Sequence, residues 1–402
     1  MRPVTTVLLA LSLRAQNVLP PDLEALAKIR TRMLFNLEHQ PNYTCVETIE
    51  RSSRSKTSNK FKVIDTLRLE VALADGREMF AWPGSKKFDE TDVTQFVTSG
   101  AIGNGEFGTH ARALFTTRIA NFHYRGLVDF QNRKAIRFDY DVPQMLSGYR
   151  IRVSNSSAIV GYRGSFYADP TTFDMQRIEV RVDDPPPALL LTSASDIIDY
   201  DVARIGEGDF LLPSESLLSM IAVTGGEEQN HVRFTACRQY SGESVISFAD
   251  APVGDDAPAK QPETTALREF DMPAGLDVAL VLTKDFDLKT IAIGDPVAVR
   301  VDRDVKQKGQ IVIPKGATAT GRVTRLERHD NYTALGVEFP EIEAPGILAL
   351  MVGNLSNTVG VLPIPLRRAV STRTLRRPGE GIIFITATQL RLAHGCIIVW
   401  RT

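Results

Sequence analysis

Short segments in which apolar and polar residues alternate recur along most of this 402-residue chain. In the clearest segment, 67–73, leucine or valine stands at every second position between arginine, glutamate and alanine. Successive side chains of a strand point to opposite faces of a sheet, so the pattern predicts strands with one apolar face and one wet face. Turn residues separate most segments after short intervals. Such spacings favour antiparallel meanders over the longer crossovers that parallel strands require.

Helical spacing occurs at two places in this pattern. Apolar residues between 23 and 37 recur every three or four positions, with Asp22 and Glu24 in the first turn and Pro41 after the end. A short helix is expected at 109–117, after a glycine-rich segment. The sequence therefore predicts a mainly β (α+β) fold. A curved antiparallel sheet or half-barrel with one long helix would be followed by a second small β-barrel or sandwich.

A stretch rich in proline and aspartate divides the chain. Pro252, Pro258 and Pro262 lie among aspartates and small residues that offer almost nothing to bury, which is typical of a linker. The length of the chain also favours two separate cores. We therefore predict a signal peptide at 1–16, an antiparallel half-barrel at 17–248, a linker at 249–270 and a small β-barrel domain at 271–402.

The amino terminus and the cysteines indicate the compartment. Residues 1–3 include a basic residue, 4–13 are mostly apolar and 14–16 offer a small residue for cleavage, which predicts a signal peptide and a periplasmic or secreted protein. The alternative is an apolar first strand or a ragged terminus. Cys45 and Cys237 lie in strand-like segments that bracket the first domain, so an oxidising space favours a disulfide between them. The alternative is two small buried thiols; Cys396 is expected to be an inert core residue.

Composition and motifs exclude several classes of function. Lysine plus arginine (47) nearly balances aspartate plus glutamate (48), so the sequence lacks the basic surplus that nucleic-acid binding needs. Residues 103–108 match G-x-G-x-x-G, but no buried parallel strand precedes them and no long helix follows, which favours a flexible loop or lid. Residues 53–56 match S-x-x-K without its companion motifs, and the six histidines lack zinc-site spacing. We therefore expect no enzyme, no cofactor and no metal.

Two pairs of aspartates could still bind a cation or act as acid and base. Asp139 with Asp141, and Asp199 with Asp201, each place two carboxylates on one face of a strand. The other interpretation is that they form the wet faces of half-exposed strands, and the lack of other clustered ligands favours it.

Aromatic residues spread over consecutive strands of the first domain. Under a helix they could line an apolar groove for a small molecule or an acyl chain, or they could simply fill the core. Alternation alone does not distinguish a hollow interior from a filled one. The candidate groove residues are Phe80, Trp82, Phe122, Tyr124, Phe138, Tyr140 and Phe166.

Residues 20–248 resemble the half-open barrel of LolA-type lipoprotein carriers and the related domain of RseB. The resemblance is one of layout, with local support at 43–51 and in Phe166-Tyr167-Ala168-Asp169-Pro170. Proteins of this kind shield lipid chains in an apolar cavity. The resemblance therefore implies a hydrophobic ligand or a lipoprotein partner, without assigning individual lining residues.

Residues 274–340, within the predicted domain 271–402, resemble the start of the TrbI-type barrel of conjugation and type IV secretion scaffolds. The segments that carry the resemblance are 274–276, Gly294-Asp295-Pro296-Val297, 304–305, Ile313-Pro314-Lys315-Gly316 and 321–323. No spanning helix precedes the barrel and no long apolar insertion follows, so the resemblance implies the barrel and not a secretion channel.

Together these features predict a non-enzymatic exported protein of the cell envelope. Its first domain would bind a hydrophobic ligand, such as an acyl chain or a lipoprotein, or a protein partner, and its second would dock to an envelope protein. It would be peripheral to a membrane at most. The alternatives are a structural assembly module with a filled core and a hydrolase whose carboxylates are brought together by the fold.

Overall fold

A computed structural model describes residues 19–74, 77–85, 88, 96, 108–153, 156–240, 268–362 and 379–402. The predicted signal peptide, most of the predicted linker and the segment 103–107 lie outside these ranges. None of the described helices is long and apolar enough to cross a membrane.

The first part of the chain consists of two helices and twelve strands within the described residues. They are α1 (Pro21–His39), β1 (Tyr43–Arg54), β2 (Lys62–Ala74), β3 (Arg77–Ala81), α2 (Thr109–Thr116), β4 (Asn121–Phe130), β5 (Arg133–Val142), β6 (Arg150–Val153), β7 (Ser156–Ile159), β8 (Tyr162–Ala168), β9 (Met175–Asp183), β10 (Leu191–Ile205), β11 (Gly208–Ala222) and β12 (Glu227–Gln239).

Ten of these strands form one antiparallel sheet in the order β3-β2-β1-β12-β11-β10-β9-β8-β5-β4, while β6 and β7 form a separate hairpin. Tight turns set the register: Gln131 and Asn132 between β4 and β5 both have positive φ, 47° and 63°, as a two-residue hairpin turn of matching twist requires. The predicted fold class, mainly β with a curved half-barrel sheet, is confirmed.

Helices α1 and α2 cover one face of this sheet. Ile29, Met33 and Leu37 of α1 recur at helical spacing and are buried, as are Leu114 and Phe115 of α2. They pack against the apolar face of β5 and of β8 to β11 in one hydrophobic cluster. A second cluster lies on the same side of β1, β2 and β3.

Strand β1 joins strands from the two ends of the first part in sequence, because it pairs with both β2 and β12. The register of β1 against β12 shifts between Thr44 and Val46, where Ala236 adopts a positive φ of 50°. At this bulge Cys45 and Cys237, the two cysteines singled out in the sequence, form a disulfide across a sequence separation of 192. The buried Cys396 is free.

The second part of the chain is built of short strands. They are β13 (Arg268–Asp271), β14 (Asp277–Leu282), β15 (Phe286–Asp287), β16 (Pro296–Val301), β17 (Val305–Gln307), β18 (Gln310–Ile313), β19 (Thr318–Arg328), β20 (Tyr332–Glu338), β21 (Glu341–Ala344), β22 (Ile347–Leu350), β23 (Asn354–Val359), β24 (Glu380–Thr386), β25 (Arg391–Leu392) and β26 (Ile397–Arg401). Its core centres on Trp400, which meets Phe339 edge to face with ring centroids 5.4 Å apart.

The two parts touch along the edge of β2. Strand β3 pairs with β2 from Glu70 onward, and Ile293 of the second part forms a bridge on the same side at Leu67, three residues earlier. The backbone N–H of Arg68 donates to the Ile293 carbonyl (2.7 Å), and the Ile293 N–H donates to the Thr66 carbonyl (2.7 Å). The Arg68 guanidinium also binds both carboxylate oxygens of Asp295, at 2.6 and 2.7 Å. These contacts extend the first sheet by one bridge into the second part.

An aromatic contact lies beside this bridge. The Arg322 guanidinium stands over the Trp82 ring, 4.7 Å from its centroid. Gly294 has a φ of +100°, and a Cβ there would lie 2.3 Å from the Arg68 carbonyl oxygen and 2.6 Å from the Trp82 ring. The approach of the two parts therefore requires glycine at this position.

Candidate functional site

Polar residues occupy several inward positions of the first sheet, on the face that the helices cover. Asp196 lies opposite Leu218, two residues along β11 from Ser216. Ser216 lies opposite Val232 of β12, which in turn faces β1 two residues after Glu47. Glu47, Asp196 and Ser216 are all buried. With His110 and Arg112 of α2, we call them the interior polar strip.

Helix α2 is held over the strip at both of its ends. At its amino end, the Thr109 hydroxyl donates to Glu78 of β3 (3.1 Å), and His110 Nε2 lies 3.6 Å from Asp196 Oδ2. At its carboxyl end, the guanidinium of Arg30 in α1 donates to the Phe115 and Thr117 carbonyls, both at 3.1 Å. Carboxylates near the amino end and a cation at the carboxyl end both match the helix dipole.

Burial controls the ionisation of the strip. It raises the pKa of the Asp196 carboxyl to about 7 and lowers the pKa of the His110 imidazole to about 4. It also raises the pKa of Glu47 to about 8, and the nearby charge of Glu78 raises it further in the same direction. Because burial disfavours the charged form of each group, His110 is neutral at pH 7 and Glu47 holds its proton.

Several buried atoms of the strip have no hydrogen-bond partner in the part of the chain that the structure describes. They are Asp196 Oδ1, Glu47 Oε2, Ser216 Oγ and Arg112 Nε. Most buried polar groups in proteins are paired, and an unpaired one costs about 1–3 kcal/mol. The set contains a donor, acceptors and a hydroxyl that does both. It can therefore bind an uncharged polar group such as an ester or an amide.

Three of the predicted groove residues come together beside the strip. The rings of Phe138 and Phe166 stack with centroids 5.2 Å apart, and Phe122 meets Phe166 at 5.8 Å. Phe115 of α2 completes the group, 5.4 Å from Phe166. We call Phe115, Phe122, Phe138 and Phe166 the aromatic cluster. Phe115 is not among the residues predicted from the sequence, because its helical position gives no period-two signal.

The other candidate groove residues lie in different surroundings. The buried Tyr140 donates its hydroxyl to the Glu179 carbonyl (2.7 Å), and the more exposed Tyr124 ring lies 5.2 Å from Phe138. Phe80 belongs to the separate cluster of β1, β2 and β3, and Trp82 faces the second part of the chain. The structure therefore does not bring all seven candidates into one groove.

The opposite face of the same strands is charged. An open groove of about 650 Å³ crosses β4, β5, β8, β9 and β10 there, and its lining includes arginines and carboxylates. Burial raises the pKa of Asp139, but hydrogen bonds from Ser165, Arg125 and Arg137 outweigh this and lower the pKa below its ordinary value. Asp199 accepts two hydrogen bonds from Arg177, at 2.7 and 2.8 Å. Arginine side chains thus hold both carboxylates.

Among the described residues, no group of three or more histidine, cysteine, aspartate or glutamate side chains could hold a metal ion. Asp141 is contacted by Asn121 (2.9 Å) and His123 (3.3 Å), and Asp201 accepts a hydrogen bond from the Val202 N–H. The paired aspartates of the sequence analysis therefore lie on wet strand faces with side-chain or backbone partners.

No protein-family model and no curated protein matches the chain. Among solved structures, it is similar to a domain from Vibrio parahaemolyticus assigned provisionally to outer membrane lipoprotein sorting, with 11% identity and a TM-score of 0.31 over 56% of this chain and 94% of that chain. The chain is also similar to a DUF1329 family protein from Desulfovibrio piger, with 9% identity and a TM-score of 0.30 over 56% of this chain and 95% of that chain. Its similarity to the Mycobacterium tuberculosis lipoprotein LppX has 6% identity and a TM-score of 0.22 over 56% of this chain and 100% of that chain.

At these identities and TM-scores the likeness does not identify a ligand. The TrbI-like resemblance of the second part and the predicted domain boundaries stay predictions.

Proposed function

We propose that this chain is an exported, non-enzymatic binding protein of the bacterial-type cell envelope. In this proposal its first part binds an acyl chain attached to an uncharged ester or amide, as in a lipoprotein, and its second part docks to an envelope protein. The observation that carries the proposal is the set of buried, unpartnered polar atoms in the interior polar strip, on the same face of the sheet as the aromatic cluster.

The polar end of the ligand would satisfy the strip. A carbonyl oxygen could accept from Arg112 Nε or from the Ser216 hydroxyl, and an amide N–H could donate to Asp196 Oδ1. Burial holds Glu47 protonated and His110 neutral at pH 7, so neither of these two groups calls for a charged ligand.

The apolar end of the ligand would follow the aromatic cluster. Asp196 lies opposite Val180 on β9, and Phe166 lies opposite Ile178 on the same strand. Asp196 and Phe166 therefore lie on one face of the sheet, on opposite sides of β9. A face that carries polar groups on one side of β9 and aromatic rings on the other suits an acyl ester or amide.

A specific observation favours a second candidate, a structural module with a filled core. The Phe166 ring already contacts the rings of Phe115 and Phe138, with centroids 5.4 and 5.2 Å away, and all three residues are buried. A chain that enters between them must displace rings, whereas in a structural module water would satisfy the strip.

Lipid analysis separates the two candidates. The disulfide-intact protein is purified without detergent, and native mass spectrometry and organic extraction then identify any bound lipid. Titration with a dansyl-labelled acyl amide follows. Ser216→Ala and Asp196→Ala should each weaken the binding of the probe about tenfold, the value of one lost buried hydrogen bond. Asp201→Ala, on an exposed position of the same strand, should leave it unchanged.

Two results would reject the ligand and support the filled core. One is wild-type protein that carries no lipid and shows no saturable binding of the probe. The other is equal affinity in the strip variants and in the control variant.

A further inference from the structure

One end of the first sheet carries large apolar side chains that face solvent. Met145 is 97% exposed and Leu190 is 64% exposed, and three others in the neighbouring connections are also exposed. We call this set the apolar rim; its members are Met145, Leu146, Ile159, Leu190 and Val223. Exposed apolar side chains scattered singly are normal on proteins, whereas a contiguous set marks a contact surface.

Hydrogen bonds join the loops that carry the rim. Gln144 Nε2, next to Met145, donates to the Ile159 carbonyl (2.8 Å). The Val223 N–H donates to the Leu190 carbonyl (3.0 Å), and the turn before Leu190 packs against β7. Strand pairing places the ends of β5, β9 and β11 and the starts of β8, β10 and β12 at this same end.

The backbone at Leu190 holds its side chain in an unusual conformation. Its φ of 53° and ψ of 30° are left-handed, a region that asparagine and glycine accept more readily than leucine. The preceding prolines, at 185–187, restrict the loop. The strained backbone at Leu190 is not offset by burial of its side chain within the chain. This exposed apolar side chain therefore indicates a contact with another molecule.

The same end has a surplus of positive charge. Its connecting segments 55–61, 143–161, 184–190 and 223–226 contain four basic residues and one acidic residue in the sequence, namely Lys56, Lys60, Arg150, Arg152 and Asp184. Arg150 lies opposite Ile159 in the β6–β7 hairpin, and the Lys56 side chain lies beside Gly225, two residues after Val223. Basic side chains therefore flank the apolar ones.

We propose that the apolar rim docks on the surface of an anionic phospholipid bilayer. Met145, Leu146 and Leu190 enter the boundary between head groups and acyl chains, and Arg150 and Lys56 contact lipid phosphates. Apolar side chains on separate loops at one end of a rigid sheet suit a broad, soft surface, and the surplus of basic residues matches its negative potential. The docking does not depend on what the interior polar strip binds.

Vesicle co-sedimentation of the disulfide-intact protein tests the proposal. The protein should sediment with vesicles of phosphatidylethanolamine and phosphatidylglycerol, more weakly at high salt, and much less with phosphatidylcholine alone. Met145→Ser with Leu190→Asn should reduce partitioning at least about tenfold. Arg150→Gln should reduce it about fivefold and weaken the salt dependence. Both sets change exposed side chains, and asparagine accepts the backbone at 190.

Matched controls remove exposed apolar side chains elsewhere on the sheet. Leu127→Ser and Val202→Ser, at positions that are each 60% exposed, should bind vesicles as the unchanged chain does. The proposal is overturned if the unchanged chain does not sediment with anionic vesicles, or if rim and control variants bind these vesicles equally. It is also overturned if the unchanged chain binds phosphatidylcholine vesicles as well as anionic ones and without salt dependence. If the double rim variant has a lowered melting temperature, the vesicle binding of Arg150→Gln still tests the proposal.

Discussion

Replacing Glu47 by glutamine should stabilise the protein, and the gain should grow between pH 5 and pH 7. Burial, and then the charge of Glu78, raise the pKa of Glu47 from 4.5 to about 8 in the folded protein. Between these two values the folded chain keeps the proton and the unfolded chain releases it. The free energy of unfolding of the unchanged protein therefore falls as the pH rises through this window.

The magnitude follows from the two pKa values. Each pH unit above the unfolded pKa costs about 1.4 kcal/mol until the folded pKa is reached. At pH 7 the buried carboxyl of Glu47 therefore costs about 3 kcal/mol, and at pH 5 about 1 kcal/mol. Glutamine does not ionise, so its advantage over glutamate should grow by about 2 kcal/mol from pH 5 to pH 7. Any hydrogen bond that the amide gains or loses contributes equally at both pH values and cancels.

Urea unfolding at pH 5, 6 and 7, with the disulfide intact, measures this difference. Trp82 and Trp400 report on the first and second parts of the chain, and circular dichroism follows the sheets. Glu207→Gln, in the exposed turn between β10 and β11, is the matched control and should show no growing advantage. Parallel pH profiles for Glu47→Gln and the unchanged protein would show that Glu47 is ionised in the folded state, and the reasoning would fail.

Three further changes test the fold. Reduction of the disulfide between β1 and β12 should lower the free energy of unfolding by about 5 kcal/mol because it releases a loop of 192 residues, and an unchanged urea midpoint would contradict this. Gly164→Ala places a Cβ 1.7 Å from the Glu179 carbonyl oxygen and should cost at least about 2 kcal/mol, whereas Gly148→Ala, in open space, should not; equal melting temperatures would refute it. Alanine at Arg68 and at Asp295 should show about 1 to 2 kcal/mol of coupling in a double-mutant cycle of unfolding, and zero coupling would mean that the bidentate pair does not join the two parts.

The sequence by itself determined what depends on local geometry. Alternation at 67–73 reflects the two faces of a pleated strand, so it predicted β2 correctly without knowledge of its neighbours. The helical spacing of Leu26, Met33 and Leu37 accompanies α1, and the predicted short helix begins at Thr109 as expected. Each of these signals lies within one helix or strand, where the spacing of apolar residues follows the repeat of the backbone.

The tertiary structure decided which of these elements meet. Asp196 and Ser216 share the buried face because β10 and β11 pair in one register, and a shift of one residue would turn one of them to solvent. The alternation of side chains along β1 could have predicted that Glu47 lies on the same face as Cys45 and Ile49. It could not have predicted that this face lies beneath α2. Trp82, a candidate for the groove or for the core, packs against the cluster of β1, β2 and β3 and also contacts Arg322, which is distant in sequence. Local pattern fixes the face of each strand, whereas pairing over long sequence separations decides which side chains share it.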